Sequence, residues 1–332
     1  MGFEAIWRMW IKGCIQKIPF YVLVNGSSCG KFTSEKGLRQ GDSLSPFIFL
    51  LVSEVLNIMF SKALVAGKLG GFAAKTGGTS VGHLQFADDT LVFLDADIEQ
   101  VRFLKYILLS FEYVSGISTN FNKCSLFAVG EVVHLDDMAS VLGCSCDSFP
   151  AIYLGLLLGE HTLSKSKWDK VIEICKARLS FWKRNSLSKA GKLTLIKSVL
   201  LSLPIYYFSF FLAPKSVVNK IEKKIRNFLW HSSADKKNVT WVGWSKVSKP
   251  LDRGGLGIRK LSIVNKSLLK KWWWRLGRER DSLWAKIILD KYDFTDLGWR
   301  SKVPSNAHGV SLWKNISKVA DDFLHSNSVQ DR

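Results

Sequence analysis

The hydrophobic pattern changes period several times along the first third of the chain. An amphipathic helix opens the sequence, and the run of β-branched and aromatic residues at positions 20–24 predicts a strand. A longer helix is predicted over residues 47–60, with Ser45 as its N-cap and Pro46 in its first position. Another helix is predicted between residues 97 and 116, where a glycine ends it. Helices and strands mixed in this way predict an α+β fold.

Residues 84–93 predict a β-hairpin, because leucine and phenylalanine alternate on both sides of a short polar segment. This pattern places the adjacent carboxylates of Asp88 and Asp89 at the tip of the hairpin. Two neighbouring carboxylates repel each other unless a proton or a cation lies between them. The tip is therefore a candidate site for Mg²⁺, which takes oxygen ligands.

The second half of the chain carries the positive charge. Residues 1–150 contain 12 Lys and Arg against 14 Asp and Glu, whereas residues 151–332 contain 35 against 14. Three amphipathic helices, over residues 165–184, from Ser188 and from near Pro214, place Lys and Arg outside an apolar stripe. A single basic helix is usually a solvated face, but three of them favour a surface that binds phosphates. The candidate nucleic-acid-binding residues are Lys189, Lys192, Lys220, Lys223 and Lys224.

Eleven of the 13 tryptophans lie at or after Trp168, and three are consecutive at positions 272–274. Most of these rings are expected in a core, because large aromatic residues fill protein interiors. Three consecutive residues cannot share one face of a helix. One ring of the triplet is therefore a candidate contact surface, for unpaired RNA bases or for a C-terminal segment.

Other signals limit the class of protein. The six cysteines show no C-x-x-C pair, which predicts neither a zinc site nor a disulfide framework. Two apolar runs, at residues 47–60 and 199–213, contain Glu54 and Pro204 respectively, so both are predicted to be core and no membrane partner is expected. No secretory signal pattern opens the sequence, and we expect an intracellular location, nuclear or cytoplasmic.

Several motifs resemble those of LINE-type (non-LTR) retrotransposon reverse transcriptases of plants. Residues 86–89 (FADD) resemble the [YF]-A-D-D hairpin, and residues 37–46 (GLRQGDSLSP) resemble the element G-x-R-Q-G-x-P-L-S-P. Residues 153–159 (YLGLLLG) resemble the Y-L-G-x-x-x-G primer grip, and residues 116–125 resemble the G-x-x-x-N-x-x-K-S stretch that precedes it. The order and spacing are those of the family.

Later segments are similar to the thumb and post-thumb regions of the plant enzymes. They are LSKAGK at 187–192 through Ile196, NFLW at 227–230, and GGLG at 254–257 followed by Asn265. The resemblance implies a palm, with an antiparallel sheet and packing helices, over residues 1–160. It further implies a helical basic thumb over residues 161–235 and a Trp-rich basic connector over residues 236–332.

The resemblance also implies roles for individual residues. Asp88 would ligate Mg²⁺ with support from Asp89, and Lys123 would donate a proton to the departing pyrophosphate, although a simple surface charge is an alternative for Lys123. The nucleotide- and template-binding residues would be Arg39, Gln40, Gly41, Phe86 and Ala87. The primer-grip residues would be Tyr153, Leu154 and Gly155. The expected partners are an RNA template, a DNA primer and dNTPs, with no other small-molecule substrate.

One element of the family pattern is absent from these 332 residues. The motif D-x-x-x-A-[YF]-D, which carries a further metal-binding aspartate, does not occur, so we expect missing fingers and a chain truncated at both ends, with Met1 an internal methionine of a longer ancestor. Two-metal nucleotidyl transfer needs carboxylates for both ions. The expected function is therefore that of an RNA-directed DNA polymerase that is catalytically incomplete. The alternatives are a non-catalytic, maturase-like module that binds nucleic acid, and a pseudogene product.

Overall fold

The computed structural model of the protein describes residues 2–16, 18–34, 38–159, 166–182, 187–230, 242–293 and 312–319. Helices and strands mix along the described chain, as the predicted α+β class requires. The chain divides into two compact units. The first comprises Met1–Phe72, Val81–Cys124 and Asp136–Cys144, and the second comprises Ala73–Ser80, Ser125–Leu135 and Ser145–Arg332. The predicted domain limits near residues 160 and 235 lie outside the described residues.

Short strands dominate the first half of the chain. In chain order its elements are α1 (Ala5–Ile15), β1 (Pro19–Val24), β2 (Ser27–Thr33), α2 (Ser45–Val65), β3 (Phe72–Ala73), β4 (Ser80–Val81), β5 (His83–Phe86), β6 (Asp89–Val92), α3 (Ile98–Ser115), β7 (Ser125–Phe127), α4 (Leu135–Leu142), β8 (Ser145–Asp147), β9 (Ala151–Tyr153) and β10 (Leu156–Leu158). Within the described residues these strands pair consecutively as five two-stranded sheets.

The sheets differ from the single antiparallel sheet predicted for the palm. Strands β1 and β2, β5 and β6, and β9 and β10 pair antiparallel. Strands β7 and β8 pair parallel, so the antiparallel prediction is wrong for this pair. The connection between them contains helix α4, and a crossover of this kind lets the chain return to pair in the parallel direction.

Helices fill the second half. They are α5 (Ser166–Phe181), α6 (Lys189–Leu195), α7 (Ile205–Phe208), α8 (Lys215–Trp230), α9 (Trp244–Val247), α10 (Leu261–Arg278), α11 (Leu283–Tyr292) and α12 (Leu312–Ser317). A π-helical turn, Ile196–Leu200, follows α6, and short 3-10 turns occupy Phe121–Lys123 and Leu251–Arg253. The three predicted basic helices correspond to α5, α6 and α8.

Helix termini agree with the sequence in two of three places. The Asp97 carboxylate accepts a hydrogen bond of 2.9 Å from the Glu99 amide at the start of α3, which ends at Gly116 with φ of 72°. Helix α6 begins at Ser188, whose hydroxyl accepts from the Gly191 amide at 3.1 Å. The predicted N-cap of α2 is wrong. Leu44 occupies that position, because the Ser45 hydroxyl instead donates to a carbonyl of the preceding loop.

The second unit has the larger core. Trp168 of α5, Ile196, Phe208 of α7, and Ile221 and Phe228 of α8 are almost completely buried in one cluster. The predicted apolar stripes of the three basic helices therefore face this core. The run at residues 199–213 also lies in it, as predicted. Each large apolar side chain of this kind contributes about 1.5–3 kcal/mol on burial.

Helix α2 is more exposed than the prediction of a core helix allowed. Its buried residues are Leu56, Phe60 and Ala63, while Phe47 is 65% exposed and Leu50 is 62% exposed. The prediction is wrong for the first half of the helix, because apolar residues occupy all of its faces and only part of its surface packs. Among the described helices α2 alone is long and apolar enough to cross a membrane, judged by length and composition.

Candidate functional site

The β5–β6 hairpin presents the two candidate metal-binding carboxylates. Phe86 pairs with Asp89 at the end of the ladder, so Ala87 and Asp88 form a two-residue turn. Asp88 and Asp89 are both exposed, and neither carboxylate forms a hydrogen bond or an ion pair within the described part of the chain. The structure therefore places the pair at the hairpin tip, as the alternating pattern predicts.

The turn is strained at Ala87. Its φ is 52°, in the left-handed region that residues with a Cβ avoid. A positive φ at the first residue of a two-residue turn is typical of type II′, where glycine is preferred. Strain of this kind costs about 1–3 kcal/mol and often occurs at functional sites. At this position the strained turn sets the directions in which the Phe86 and Asp88 side chains leave the hairpin.

Contacts from two helices hold the hairpin at its base. The ring of His83 in β5 lies 4.7 Å from that of Phe60 in α2, and burial lowers the pKa of this histidine, which keeps the imidazole neutral near pH 7. Gln100 of α3 accepts hydrogen bonds from the amides of Gly70 and Asp95 at 2.8 and 3.2 Å. Strand β5 therefore contacts α2 at the end away from the carboxylates, while Gln100 binds the segments before and after the hairpin.

The segment that resembles the nucleotide pocket forms a closed loop before α2. The Ser45 hydroxyl donates to the Arg39 carbonyl at 2.9 Å, and the Asp42 carboxylate accepts from the Leu44 amide at 3.3 Å. Gly41 has a φ of 83°, a conformation that glycine adopts without strain. Arg39, Gln40 and Gly41 are exposed, so their side chains and backbone can reach a ligand. Gly37, at the start of the motif, lies outside the described residues.

The tip fits part of a magnesium site. Carboxylate oxygens are the ligands that Mg²⁺ prefers. Within the described ranges, however, no group of three or more His, Cys, Asp and Glu residues is close enough to hold a metal ion. Two ions roughly 3.5–4 Å apart need more ligands than Asp88 and Asp89 supply.

Lys123 lies at the end of the 3-10 turn Phe121–Lys123 and is exposed. Its ammonium group forms no hydrogen bond or ion pair with Asp88 or Asp89. It belongs to the same unit as the hairpin and the Arg39 loop. The role of Lys123 as a proton donor stays a prediction.

The β9–β10 hairpin carries the predicted primer-grip residues and belongs to the second unit. Leu154 and Gly155 form its turn, with φ values of 48° and 77°. The Tyr206 hydroxyl donates to the Leu154 carbonyl at 2.6 Å, and the Tyr207 hydroxyl donates to the Gly155 carbonyl at 3.1 Å. Two side chains of α7 thus fix both carbonyls of the turn. The hairpin is attached to the helical core.

The last glycine of the same motif has a steric explanation. A Cβ on Gly159 would lie 2.6 Å from the Phe149 ring, and the φ of this glycine is 78°. Any larger residue would force the ring and the strand apart. The second glycine of YLGLLLG is therefore required by close packing next to the hairpin.

The structure separates the five candidate nucleic-acid-binding lysines. Lys189, Lys220 and Lys223 are exposed, whereas Lys224 is partly buried beside Cys175, whose pKa burial raises to about 11. Lys192 is only 5% exposed, so little of its side chain is accessible to a phosphate backbone, and its contact with nucleic acid stays a prediction. Its ammonium lies 6.0 Å from the centre of the Phe228 ring, because α6 turns this position toward α8.

Sequence reasoning missed three structural contributors to this region. Tyr206 and Tyr207 lie in an apolar run; Tyr207 is buried, and a buried tyrosine generally needs a partner for its hydroxyl, which is the available signal, whereas Tyr206 is 43% exposed and gives no such signal. Asn265 was noted only as part of a motif. Its side-chain amide donates to the Phe208 and Phe211 carbonyls at 2.9 and 2.8 Å, and its oxygen accepts from the Ala213 amide at 2.9 Å.

Comparison with known proteins identifies the class. The family model described as "Reverse transcriptase (RNA-dependent DNA polymerase)" matches residues 1–158, which include the carboxylate hairpin, the Arg39 loop and the β9–β10 hairpin. Residues 1–158, slightly less than half of the chain, belong to this reverse transcriptase family. The relatives of the chain are plant proteins, in agreement with the plant LINE-type enzymes that its motifs resemble.

Three of these relatives are from Arabidopsis thaliana. A candidate ribonuclease H protein is 37% identical over 161 residues, which are 48% of this chain and 26% of that protein. An uncharacterized mitochondrial protein is 35% identical over 119 residues, 34% of this chain and 93% of the relative. Another is 32% identical over 146 residues, 40% of this chain and 92% of the relative. The chain thus spans about a quarter of the first relative and nearly all of the other two.

Proposed function

We propose that this chain is an RNA-directed DNA polymerase domain of a LINE-type retroelement, and that its 332 residues alone form an incomplete catalytic site. The observation that carries the proposal is the exposed Asp88–Asp89 pair at a strained, supported hairpin tip within the segment that matches the family. The family's substrates are an RNA template, a DNA primer and dNTPs.

Each candidate site residue has its own proposed role. Asp88 holds a divalent ion with support from Asp89, and such an ion, when bound, stabilises charge on the phosphates and activates the primer 3′-hydroxyl. The loop of Arg39, Gln40 and Gly41 shapes the nucleotide pocket, with Phe86 and Ala87 beside it. Lys123 holds the proton that the departing pyrophosphate takes. The turn of the β9–β10 hairpin positions the primer.

Incomplete catalysis follows from the ligand count. The described residues bring two carboxylates to the tip, and no further D-x-x-x-A-[YF]-D aspartate occurs in the sequence. Catalytic groups that act as a unit are strongly non-additive, so the loss of one ligand removes most of the activity. A carboxylate from outside these residues would have to complete the two-ion site.

Metal binding tests the tip directly. Mn²⁺, followed by electron paramagnetic resonance, should bind the 332-residue chain weakly, and Asp88→Asn with Asp89→Asn should remove that binding. The matched control is Asp136→Asn with Asp137→Asn, which neutralises the other adjacent carboxylate pair of the same unit. Equal loss in both double variants would refute the assignment of the ion to the hairpin.

A second candidate is a non-catalytic module that binds nucleic acid inside the cell, in the nucleus or the cytoplasm. It is favoured by the cationic surface of the second unit, where Lys220 and Lys223 of α8 are exposed. Lys220→Glu, Lys223→Glu and Lys224→Glu together should weaken RNA binding for every sequence and reduce its dependence on salt.

The control for the α8 variant is the reversal of three exposed lysines of the first unit, Lys12, Lys62 and Lys68. Both variants change the net charge equally, so RNA binding should differ between them only if the RNA binds at the surface of α8. Equal weakening would mean that the whole protein charge, and not α8, attracts the RNA.

A further inference from the structure

The three consecutive tryptophans of α10 have different environments. The Trp272 indole donates to the Ser209 carbonyl at 2.7 Å, and the Trp273 indole donates to the Ile316 carbonyl at 3.1 Å. Trp273 is 5% exposed and belongs to the core, whereas Trp274 is 52% exposed. Within the described residues Trp274 forms no hydrogen bond and no contact with another ring. Its indole is available to a ligand.

The arginines of α10 show the same division. Arg275 forms two hydrogen bonds with Glu279, at 2.8 and 2.7 Å, and this partner raises the pKa of the arginine. Its guanidinium also lies 4.9 and 5.4 Å from the Trp272 and Trp284 ring centres. Arg278 is exposed, lies 5.2 Å from the Trp274 ring centre, and pairs with no carboxylate in the described part of the chain. Its hydrogen-bond donors are available beside the exposed ring.

The charged residues one helical turn from Trp274 are all basic, and Glu279, just past the helix, is paired with Arg275. The positions one helical turn away on either side are Lys270, Lys271, Gly277 and Arg278, and α10 contains five basic and no acidic residues. A planar exposed ring flanked by cations is complementary to a ligand that combines a flat aromatic group with negative charge. An unpaired nucleotide has both features, since its base stacks and its phosphate pairs with Arg or Lys.

We propose that Trp274 and Arg278 form a stacking site for an unpaired base of single-stranded RNA, with Lys271 beside the adjacent phosphate. The proposal rests on the nucleic-acid binding proposed above, and it is independent of polymerase chemistry. A protein segment or a second copy of this chain would be the other possible occupant. The absence of any acidic residue from α10 favours RNA over a protein surface of mixed charge.

Binding of a short labelled oligouridine to the full chain, followed by fluorescence anisotropy, tests the proposal. Trp274→Ala should weaken binding about 5- to 150-fold, because stacking of one base contributes about 1–3 kcal/mol. Trp274→Phe should retain most of the affinity, since a flat ring remains. The control is Trp10→Ala, which removes a tryptophan of the first unit that is 63% exposed and should change nothing.

An abasic oligonucleotide of equal length separates stacking from charge. It keeps every phosphate, so the wild type and Trp274→Ala should bind it equally, whereas Arg278→Ala should weaken binding to both oligonucleotides. If Trp274→Ala weakens binding to the abasic strand as much as binding to oligouridine, the ring supports the folded structure instead of stacking on a base, and the proposal is wrong.

Two further outcomes would overturn it. If Trp274→Ala binds oligouridine as tightly as the wild type does, the ring does not stack on RNA, whether or not the variant changes its oligomeric state in the ultracentrifuge. The polymerase proposal would be unaffected by that result. Failure of the wild-type chain to bind RNA at low salt would refute this site and the α8 surface together.

Discussion

Replacement of Asn265 by leucine should strongly destabilise the second unit. The side chain is 2% exposed and satisfies three backbone groups at the end of α7 and just after it, namely the carbonyls of Phe208 and Phe211 and the amide of Ala213. Leucine has a similar volume, so it fills the site without a large cavity, but it forms no hydrogen bond. The substitution therefore isolates the contribution of the amide.

The expected magnitude follows from the three lost bonds. A buried hydrogen bond contributes about 1 kcal/mol, and a buried group left without a partner costs about 1–3 kcal/mol. Three groups, partly offset by the added apolar burial of leucine, give a loss of about 3 kcal/mol in the free energy of unfolding. Urea unfolding followed by circular dichroism measures it as a lower midpoint.

Asn219→Leu on α8 is the matched control, because this asparagine is exposed and its replacement should change stability by less than about 0.5 kcal/mol. Equal effects of the two substitutions would show that the buried amide does not hold α7 to α10.

A charged substitution at the same position adds a pH test. Asn265→Asp keeps an acceptor for the Ala213 amide but places a carboxylate against two carbonyl oxygens. Burial and this repulsion should raise the folded-state pKa of the new group above its unfolded value. The folded state then binds more protons, so the stability gap to the wild type should narrow as the pH falls toward 4 and widen toward 7. A gap independent of pH would contradict the packing of this site.

Three further predictions test other features. Ala87→Gly should stabilise the first unit by about 1 kcal/mol in urea unfolding, because glycine adopts a φ of 52° without strain; destabilisation would contradict the left-handed turn. Lys192→Glu should unfold the second unit at lower urea concentrations, while Lys189→Glu should leave the midpoint unchanged and weaken RNA binding; the reverse order would contradict the buried position of Lys192. Tyr207→Phe should speed amide hydrogen exchange around Gly155, because the lost hydrogen bond lowers the local free energy of opening by about 1 kcal/mol; unchanged exchange would show that the hydroxyl does not hold the turn.

Local pattern predicted the features that depend on neighbours in sequence. The alternation around residues 86–89 placed Asp88 in the turn, because the two-residue connection and the period of two together fix the register. The apolar stripe of α8 predicted the correct buried face, because the apolar residues of this 16-residue helix recur at the helical period of 3.6.

Features set by distant contacts could not be predicted in the same way. Lys192 lies four residues before Ile196 and eight before Leu200, so the helical period places it on the buried face, although its charge favours an exposed position. Serine is a preferred N-cap residue, but the hydroxyl of Ser45 has the Arg39 carbonyl of the preceding loop as its partner. At Ser45, a contact within the folded loop overrides the local rule.

The attachment of the β9–β10 hairpin to α7 illustrates the same limit. The motif YLGLLLG indicated a hairpin from its turn residues, but nothing in that motif indicates Tyr206 and Tyr207, which lie 52 residues away from their carbonyl partners. An apolar run that contains two consecutive tyrosines was the only signal that distant backbone acceptors exist.

Primer extension by the 332-residue chain on an RNA template tests the central claim most directly. The wild type and Asp88→Ala should bind the primer–template with equal affinity. With Mg²⁺ or Mn²⁺ the wild type should incorporate no more nucleotides than Asp88→Ala does, because two carboxylates cannot hold both ions. Extension by the wild type that Asp88→Ala abolishes would show that another residue completes the site, and it would contradict the proposal of an incomplete reverse transcriptase.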